Sequence, residues 1–314
     1  VSRRLANTLS LVARRICLIV NPSAGGGRAA RALPAVESAL RDSGVELRTS
    51  STRDLDHARG LADTAAAAGE TAVTLGGDGL IGAVADALRA HPAAVLGILP
   101  GGRGNDLARV LGIPADPVAA CATIAGGVER PLDLGEVDGR AFIGIASAGF
   151  DSDANRIANQ APARLGNLVY AYGALRALAA WTPARFEIEL DPPGERQVFT
   201  GFSVAAANSR AYGGGMFLAP AAKLDDGRLD VVVSERVSKF RFLANLPRVF
   251  KGTHVKLPSV HVFRAAEVRI SADRPFVLYA DGDPIGELPA LVRALPGAVR
   301  VLVPSGGSGD ALGA

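Results

Sequence analysis

Three times within the first 110 residues a short apolar run stops at a glycine-rich turn and gives way to residues spaced for a helix. Residues 16–20 run into Asn21-Pro22-Ser23-Ala24-Gly25-Gly26-Gly27, after which Ala29, Leu33, Val36 and Leu40 share one helical face and Gly44 closes the segment. Residues 71–75 lead into Gly76-Gly77-Asp78-Gly79 and a helix over 80–90; residues 95–99 lead into Pro100 to Asp106 and a helix from Leu107. A further strand at 45–49 and an alanine-rich helix at 54–68 fill the gap between the first two units. Strands alternating with helices require a parallel sheet, because a parallel pair is joined only by a crossover. The glycine turns then collect at the C-terminal edge of that sheet, where open α/β sheets bind ligands.

The pattern changes near Pro131. Segments 134–138, 141–147, 185–190, 198–206, 229–233, 260–263, 266–271 and 276–280 are short, rich in Val, Ile and Phe, and separated by turn residues such as Asp138-Gly139 and Asp226-Gly227. Such spacing predicts an antiparallel sandwich or barrel. Two helical stretches interrupt it, at 153–182 and 238–251. A length of 314 residues also favours two hydrophobic cores over one. The expected organisation is a lead-in at 1–15, disordered or briefly helical rather than a signal peptide, then an α/β domain at 16–132 and a β-sandwich at 133–287. Residues 288–304 are expected to return to the first domain, and 305–314 to form a flexible tail.

A net charge of +3 suits approach to an anionic surface or a nucleotide but is too small to indicate nucleic acid. The two cysteines, Cys17 and Cys121, sit among apolar or small residues and read as buried thiols of a reducing compartment. The four histidines lack zinc-ligand spacing, and no apolar run reaches the ~18–20 residues of a membrane span.

The turn at 76–79 carries the sharpest chemical signal. Glycines let a backbone approach phosphate closely, yet a carboxylate among them would repel the ligand unless a cation or an ionising hydroxyl stood between. That combination points to phosphoryl transfer. The first turn adds the side-chain donors of Asn21 and Ser23, and the third adds the guanidinium of Arg103, a strong partner for phosphate oxygens. The GxxxxGK[ST] signature is absent, so a nucleotide would not be held in the P-loop manner.

In order and spacing, NPSAGGG at 21–27, LGGDGLIGAVADAL at 75–88, LPGGRGNDLAR at 99–109, GGGMFLAPAAKLDDGRLDV at 213–231 and ADGDPIGELP at 280–289 resemble the diacylglycerol kinase catalytic domain family, which includes YegS-like lipid kinases and sphingosine and ceramide kinases. The resemblance spans about residues 16–303. It implies a nucleotide-binding domain like that of NAD kinases and phosphofructokinases, followed by a β-sandwich carrying a lipid site, with ATP between them. On this resemblance Asn21, Ser23, Gly25, Thr52, Gly76, Gly77, Asp78, Gly79 and Gly82 contact the nucleotide, together with Gly101, Gly102, Arg103, Gly104, Asn105 and Asp106. Relatives often carry threonine where Arg103 stands.

The family's base is a glutamate in a D-G-E-P sequence; here Asp283 holds that position, one methylene shorter, and Asp78 is the other candidate. Without the resemblance, Asp281-Gly282-Asp283-Pro284 reads as an acidic turn between strands. The resemblance also implies a structural Mg²⁺ held by the Asp226 carboxylate and the carbonyls of Lys223 and Arg228, against a plain solvent-facing β-turn. It places Asp151 beside the acceptor, and likens 153–182 to a lipid-admitting flap, against an ordinary core-packing helix pair. The expected protein is a cytoplasmic, peripherally membrane-associated kinase using ATP and Mg²⁺ on a lipid hydroxyl, most simply that of diacylglycerol, with a homodimer left open. The competing readings are a sphingoid or ceramide kinase, an NAD kinase, and a non-catalytic nucleotide- or lipid-binding regulator.

Overall fold

The computed structural model describes residues 14–150, 152–154, 157 and 169–306. Four parallel strands, β1 (Arg15–Val20), β2 (Glu46–Ser51), β3 (Thr71–Gly76) and β4 (Val95–Pro100), lie in the order β4-β3-β1-β2. Helices α1 (Ala24–Asp42), α2 (Leu55–Ala67), α3 (Asp78–Leu88), α4 (Asp106–Val110) and α5 (Pro117–Gly126) connect and cover them, α1 against α5 and α2 against α3. Cover by helices is why β3 is buried along its whole length instead of alternating between buried and exposed residues.

The second part is antiparallel. It comprises β5 (Val128–Val137), β6 (Arg140–Phe142), β7 (Ile145–Gly149), α6 (Val169–Ala180), β8 (Ala184–Leu190), β9 (Arg196–Ala207), β10 (Leu229–Glu235), α7 (Lys239–Phe250), β11 (Val260–Ala265), β12 (Glu267–Ala272), β13 (Val277–Ala280), β14 (Asp283–Glu287) and β15 (Ala290–Val303). The expected fold class, a parallel α/β unit followed by a β-sandwich, is the one observed.

The strand path runs β14-β13-β7-β9-β8-β12-β15-β4-β3-β1-β2, with β10 and β11 branching from β9, and β5 and β6 from β15. The hinge of this arrangement is β15. Its residues 290–293 pair antiparallel with β12, whereas Arg300 and Val301 pair in parallel with β4. Between these halves the register against β5 shifts from Leu295 to Val299, around Pro296-Gly297. Each half serves a different core: Ala290 and Val292 pack with Phe142, Phe186 and Val268, while Val299, Val301 and Leu302 pack with Leu96, Ile98 and Ile124.

Candidate active site

The glycine turns meet at the C-terminal ends of β1, β3 and β4 and lock against one another. A Cβ on Gly25 would lie 2.5 Å from the Gly101 carbonyl oxygen, one on Gly77 would lie 3.2 Å from Gly102 Cα, and one on Gly101 would lie 3.1 Å from Gly76 N. These glycines are therefore required by backbone packing between loops, whatever the ligand. Gly26 is different. Its φ of 68° belongs to the left-handed region and the space its Cβ would occupy is open. Beside it Asn21 Oδ1 accepts the backbone N–H of Ser23 (3.1 Å) and its hydroxyl (2.8 Å), fixing the loop entrance. Thr52 sits just beyond β2, its N–H donated to the Val20 carbonyl (2.7 Å).

The third turn closes on itself. Asn105, at φ 51°, accepts the Gly102 N–H (2.8 Å) and donates to the Gly102 carbonyl (3.1 Å), which leaves Arg103 exposed at the tip. Asp106 is buried. Its carboxylate pairs with Arg109 (2.5 Å) and accepts the N–H of Gly214 from the second part of the molecule (2.7 Å). Asp106 is thus a bridge between the two parts, a role that its placement among the nucleotide-contacting residues did not foresee.

Three carboxylates surround the first turn of α3. Asp78 accepts the backbone N–H groups of Asp106 (3.2 Å) and Leu107 (3.1 Å), one on each oxygen. Burial raises its pKa, and the neighbouring charge of Asp106 adds to the effect. Asp281, at φ 53°, accepts the N–H groups of Ile143 and Gly144, both at 2.9 Å. Burial pushes its carboxyl up to about 7, opposed by those donors and reinforced by the charge of Asp78.

Asp283 opens β14, so the expected acidic turn ends two residues earlier, at Gly282, and Asp283 is held by pairing with Ala280. Its Oδ2 lies 2.9 Å from where a Cβ on Gly79 would stand, and Asp281 Oδ2 lies 2.9 Å from the same point on Gly82. Gly79 and Gly82 therefore admit the Asp281–Asp283 segment against α3. A cavity of about 30 Å³, lined in part by Arg59, Gly79, Arg140, Asp281 and Asp283, adjoins it and is large enough for a single water. Burial raises the Asp283 pKa, while Arg140 and Arg59 pull it down. Asp281 escaped sequence reading because its neighbour in the same motif carried the signal; its left-handed φ is invisible in the sequence.

The turn at 223–228 does not fit the expected Mg²⁺ as it stands. Asp226 Oδ1 accepts the Arg228 N–H (3.1 Å) and Oδ2 pairs with the Arg264 guanidinium, which also reaches Asp230 Oδ1 at 3.2 Å. A fixed cation already lies between these carboxylates, and Arg264, 38 residues beyond Asp226, had no local signature. Among the described residues no three His, Cys, Asp or Glu side chains gather as a metal cage. Asp151, expected beside the acceptor, lies outside the described residues, as do Arg156 and Arg164 of the expected flap.

A parallel α/β layer whose glycine loops face a β-sandwich across a cluster of carboxylates defines a two-part ligand site of the kind that serves phosphoryl transfer. Known proteins share the fold. Residues 15–137 match the family model of the diacylglycerol kinase catalytic domain, and residues 144–303 match that of the YegS C-terminal NAD kinase beta sandwich-like domain. The chain is 34% identical to a protein of Mycobacterium tuberculosis named diacylglycerol kinase, over 93% of this chain and 96% of that one. It is 31% identical to a Pseudomonas aeruginosa protein named "Probable lipid kinase YegS-like", over 93% and 95%. A crystal structure titled as a diacylglycerol kinase from Bacillus anthracis superposes with a TM-score of 0.73 over 93% of this chain and 97% of that one, at 20% identity. The chain belongs to the diacylglycerol kinase family, and is an enzyme of that kinase family.

Proposed function

We propose that the protein is a lipid kinase that transfers the γ-phosphoryl group of Mg·ATP to a lipid hydroxyl, with diacylglycerol as the acceptor and phosphatidic acid as the product. The observation that carries this reading is the division of labour between Asp78 and Asp283. Both oxygens of Asp78 are spent on the backbone of α4, so that residue shapes the nucleotide loops. The Asp283 carboxylate accepts no hydrogen bond from the described residues and borders a cavity together with two arginines. In the proposed reaction Asp283 accepts the proton of the acceptor hydroxyl, the freed oxygen attacks the γ-phosphorus in line, and ADP leaves. The open space beside Gly26 and the guanidinium of Arg103 are suited to phosphate oxygens, and Mg²⁺ arrives with the nucleotide as part of the substrate.

The sandwich supplies the acceptor side in this reading, and the protein works at a membrane surface in the cytoplasm. Radiolabelled ATP incubated with purified protein and a membrane lipid extract should label one lipid class, co-migrating with phosphatidic acid. Asp283→Asn should lower turnover by about 10²–10⁴-fold, the usual loss on removing a general base, while leaving ATP binding within about twofold. Near-normal turnover of that variant would transfer the base role away from Asp283.

A further inference from the structure

We propose that α7 is an interfacial helix that seats the molecule on an anionic bilayer. Among the described residues α7 is set apart by its exposure. None of its twelve residues is buried, whereas α1 to α5 each bury three or more. Phe240 is 83% exposed, and Leu243 and Phe250 are 37% and 49% exposed. With Pro247 these residues recur at helical spacing and form one apolar stripe on the outside of the helix.

The helix is nevertheless firmly held. Ser238 accepts the Arg241 N–H at its N-terminus (3.2 Å), and Lys239 Nζ donates to the Ala179 carbonyl of α6 (2.9 Å). On the inner side Phe242 stacks on Phe202 with ring centroids 4.3 Å apart and meets Phe150 edge-on at 4.8 Å. An apolar stripe on a docked, capped helix is a built surface, and its exposure needs a partner.

Charge identifies that partner. Residues 236–256 contain Arg236, Lys239, Arg241, Arg248, Lys251 and Lys256 and no Asp or Glu, although the chain as a whole has 34 basic and 31 acidic residues. The rest of the chain is therefore net acidic, and its basic character is concentrated here. Apolar residues flanked by Lys and Arg on an in-plane helix match a layer of acyl chains beneath anionic phosphates. A second copy of this chain would bring six cations against six across a two-fold axis, which like-charge repulsion opposes. At the N-terminal end of α7 a cavity of about 460 Å³ has Trp181 and Phe202 among its lining, with Arg236 and Lys239 beside them. An apolar wall with two cations at its side repeats the chemistry of the helix itself.

This inference deepens the lipid-kinase reading by naming the surface and lipid class through which an acceptor is reached, and it rests on that reading for its purpose. Its test needs no turnover. The full chain would be sedimented with vesicles of phosphatidylglycerol and phosphatidylcholine, or of phosphatidylcholine alone, at low and high salt. The wild-type protein should bind the anionic vesicles at least about tenfold more tightly, with affinity falling as salt rises. Phe240→Ser with Phe250→Ser, and separately Arg241→Glu with Lys251→Glu, should each weaken that binding by about tenfold. Both should leave the melting temperature and the turnover of a short-chain, detergent-dispersed diacylglycerol unchanged. Equal binding to neutral vesicles, or binding by both variants at wild-type strength, would overturn the inference. So would a wild-type dimer that the same substitutions convert to monomer. Vesicle binding without phosphoryl transfer would count against the kinase reading alone; transfer to dispersed lipid without vesicle binding would count against α7 alone.

Discussion

At the scale of single residues, the site is governed by how closely carboxylates are pressed against α3. Asp281 titrates from an ordinary carboxylate value of 3.8 when unfolded to about 7 when folded, so the native chain binds its proton more tightly. A raised carboxyl pKa contributes stability that is complete below about 4 and is lost as pH rises through about 7. Thermal melts between pH 5 and pH 7 should therefore show a declining contribution that Asp281→Asn removes, flattening the profile in that window; an unchanged slope in the variant would place the titration elsewhere. Gly79 tests the same crowding by sterics. Its substitution by alanine aims a methyl group at Asp283 Oδ2, 2.9 Å away, and should displace that carboxylate. Activity should fall by about 10²-fold, the usual consequence of misplacing a reacting group by an ångström. Gly60 is the control: it lies inside α2 with open space at its Cβ position, so Gly60→Ala should keep full activity and add about 0.5–1 kcal/mol of stability. Comparing kcat and melting temperature for the two variants separates local crowding from the general effect of losing a glycine.

At the scale of elements, Asp133 on β5 does the most joining. It is buried, with one oxygen accepting the Gly227 N–H of the 223–228 turn (2.6 Å) and the other the Gly297 N–H in the shifted stretch of β15 (2.7 Å). Asp133→Ala orphans both donors and should cost about 3 kcal/mol or more, since hydrogen bonds to a charged group are worth about 1.5–3 kcal/mol each. Asp133→Asn keeps one acceptor and should fall between, as denaturant titration would show. Elements like these mark where sequence reading stopped. The strand-turn-helix units of the first part were legible because apolar runs end at glycines, a signal that local sterics impose. The strands β14 and β15 were not read as strands: Asp283-Pro284 in one and Pro296-Gly297 in the other are turn chemistry by local rules, and pairing with β13, β5 and β12 overrides it. Of the site, the glycine loops and both candidate bases stood in the sequence. Asp281, Asp133 and Arg264 did not, because each acts through partners 34 to 164 residues away, and separation along the chain hides contact in space.

At the scale of the whole molecule, the two parts share a strand, which sets how the protein unfolds. One end of β15 completes the sandwich beside β12 and the other lies beside β4, while β5 runs along both halves. A second set of ties crosses the same boundary: Arg89 at the end of α3 pairs with Asp86 (3.0 Å) and with Glu136 of β5 (2.7 Å), and Arg293 of β15 also binds Glu136 (2.8 Å). Asp86 in turn accepts the Ala141 N–H of β6 at 2.9 Å. Such coupling makes melting of one part costly to the other, so calorimetry should record a single transition with equal calorimetric and van't Hoff enthalpies. The sharper test is truncation. A fragment of residues 14–137 retains every parallel strand from β1 to β4 but loses β15, and with it Val299, Val301 and Leu302, all buried against the α/β core. It would also leave the edge of β4 and both flanks of β5 without strand partners, since β6 is lost with β15, an exposed apolar edge of the kind that aggregates. The fragment should therefore be insoluble or lack a cooperative melt. Adding a synthetic peptide of residues 288–304 should recover part of the fold, and a fragment that melts cooperatively alone would show that the shared strand is dispensable.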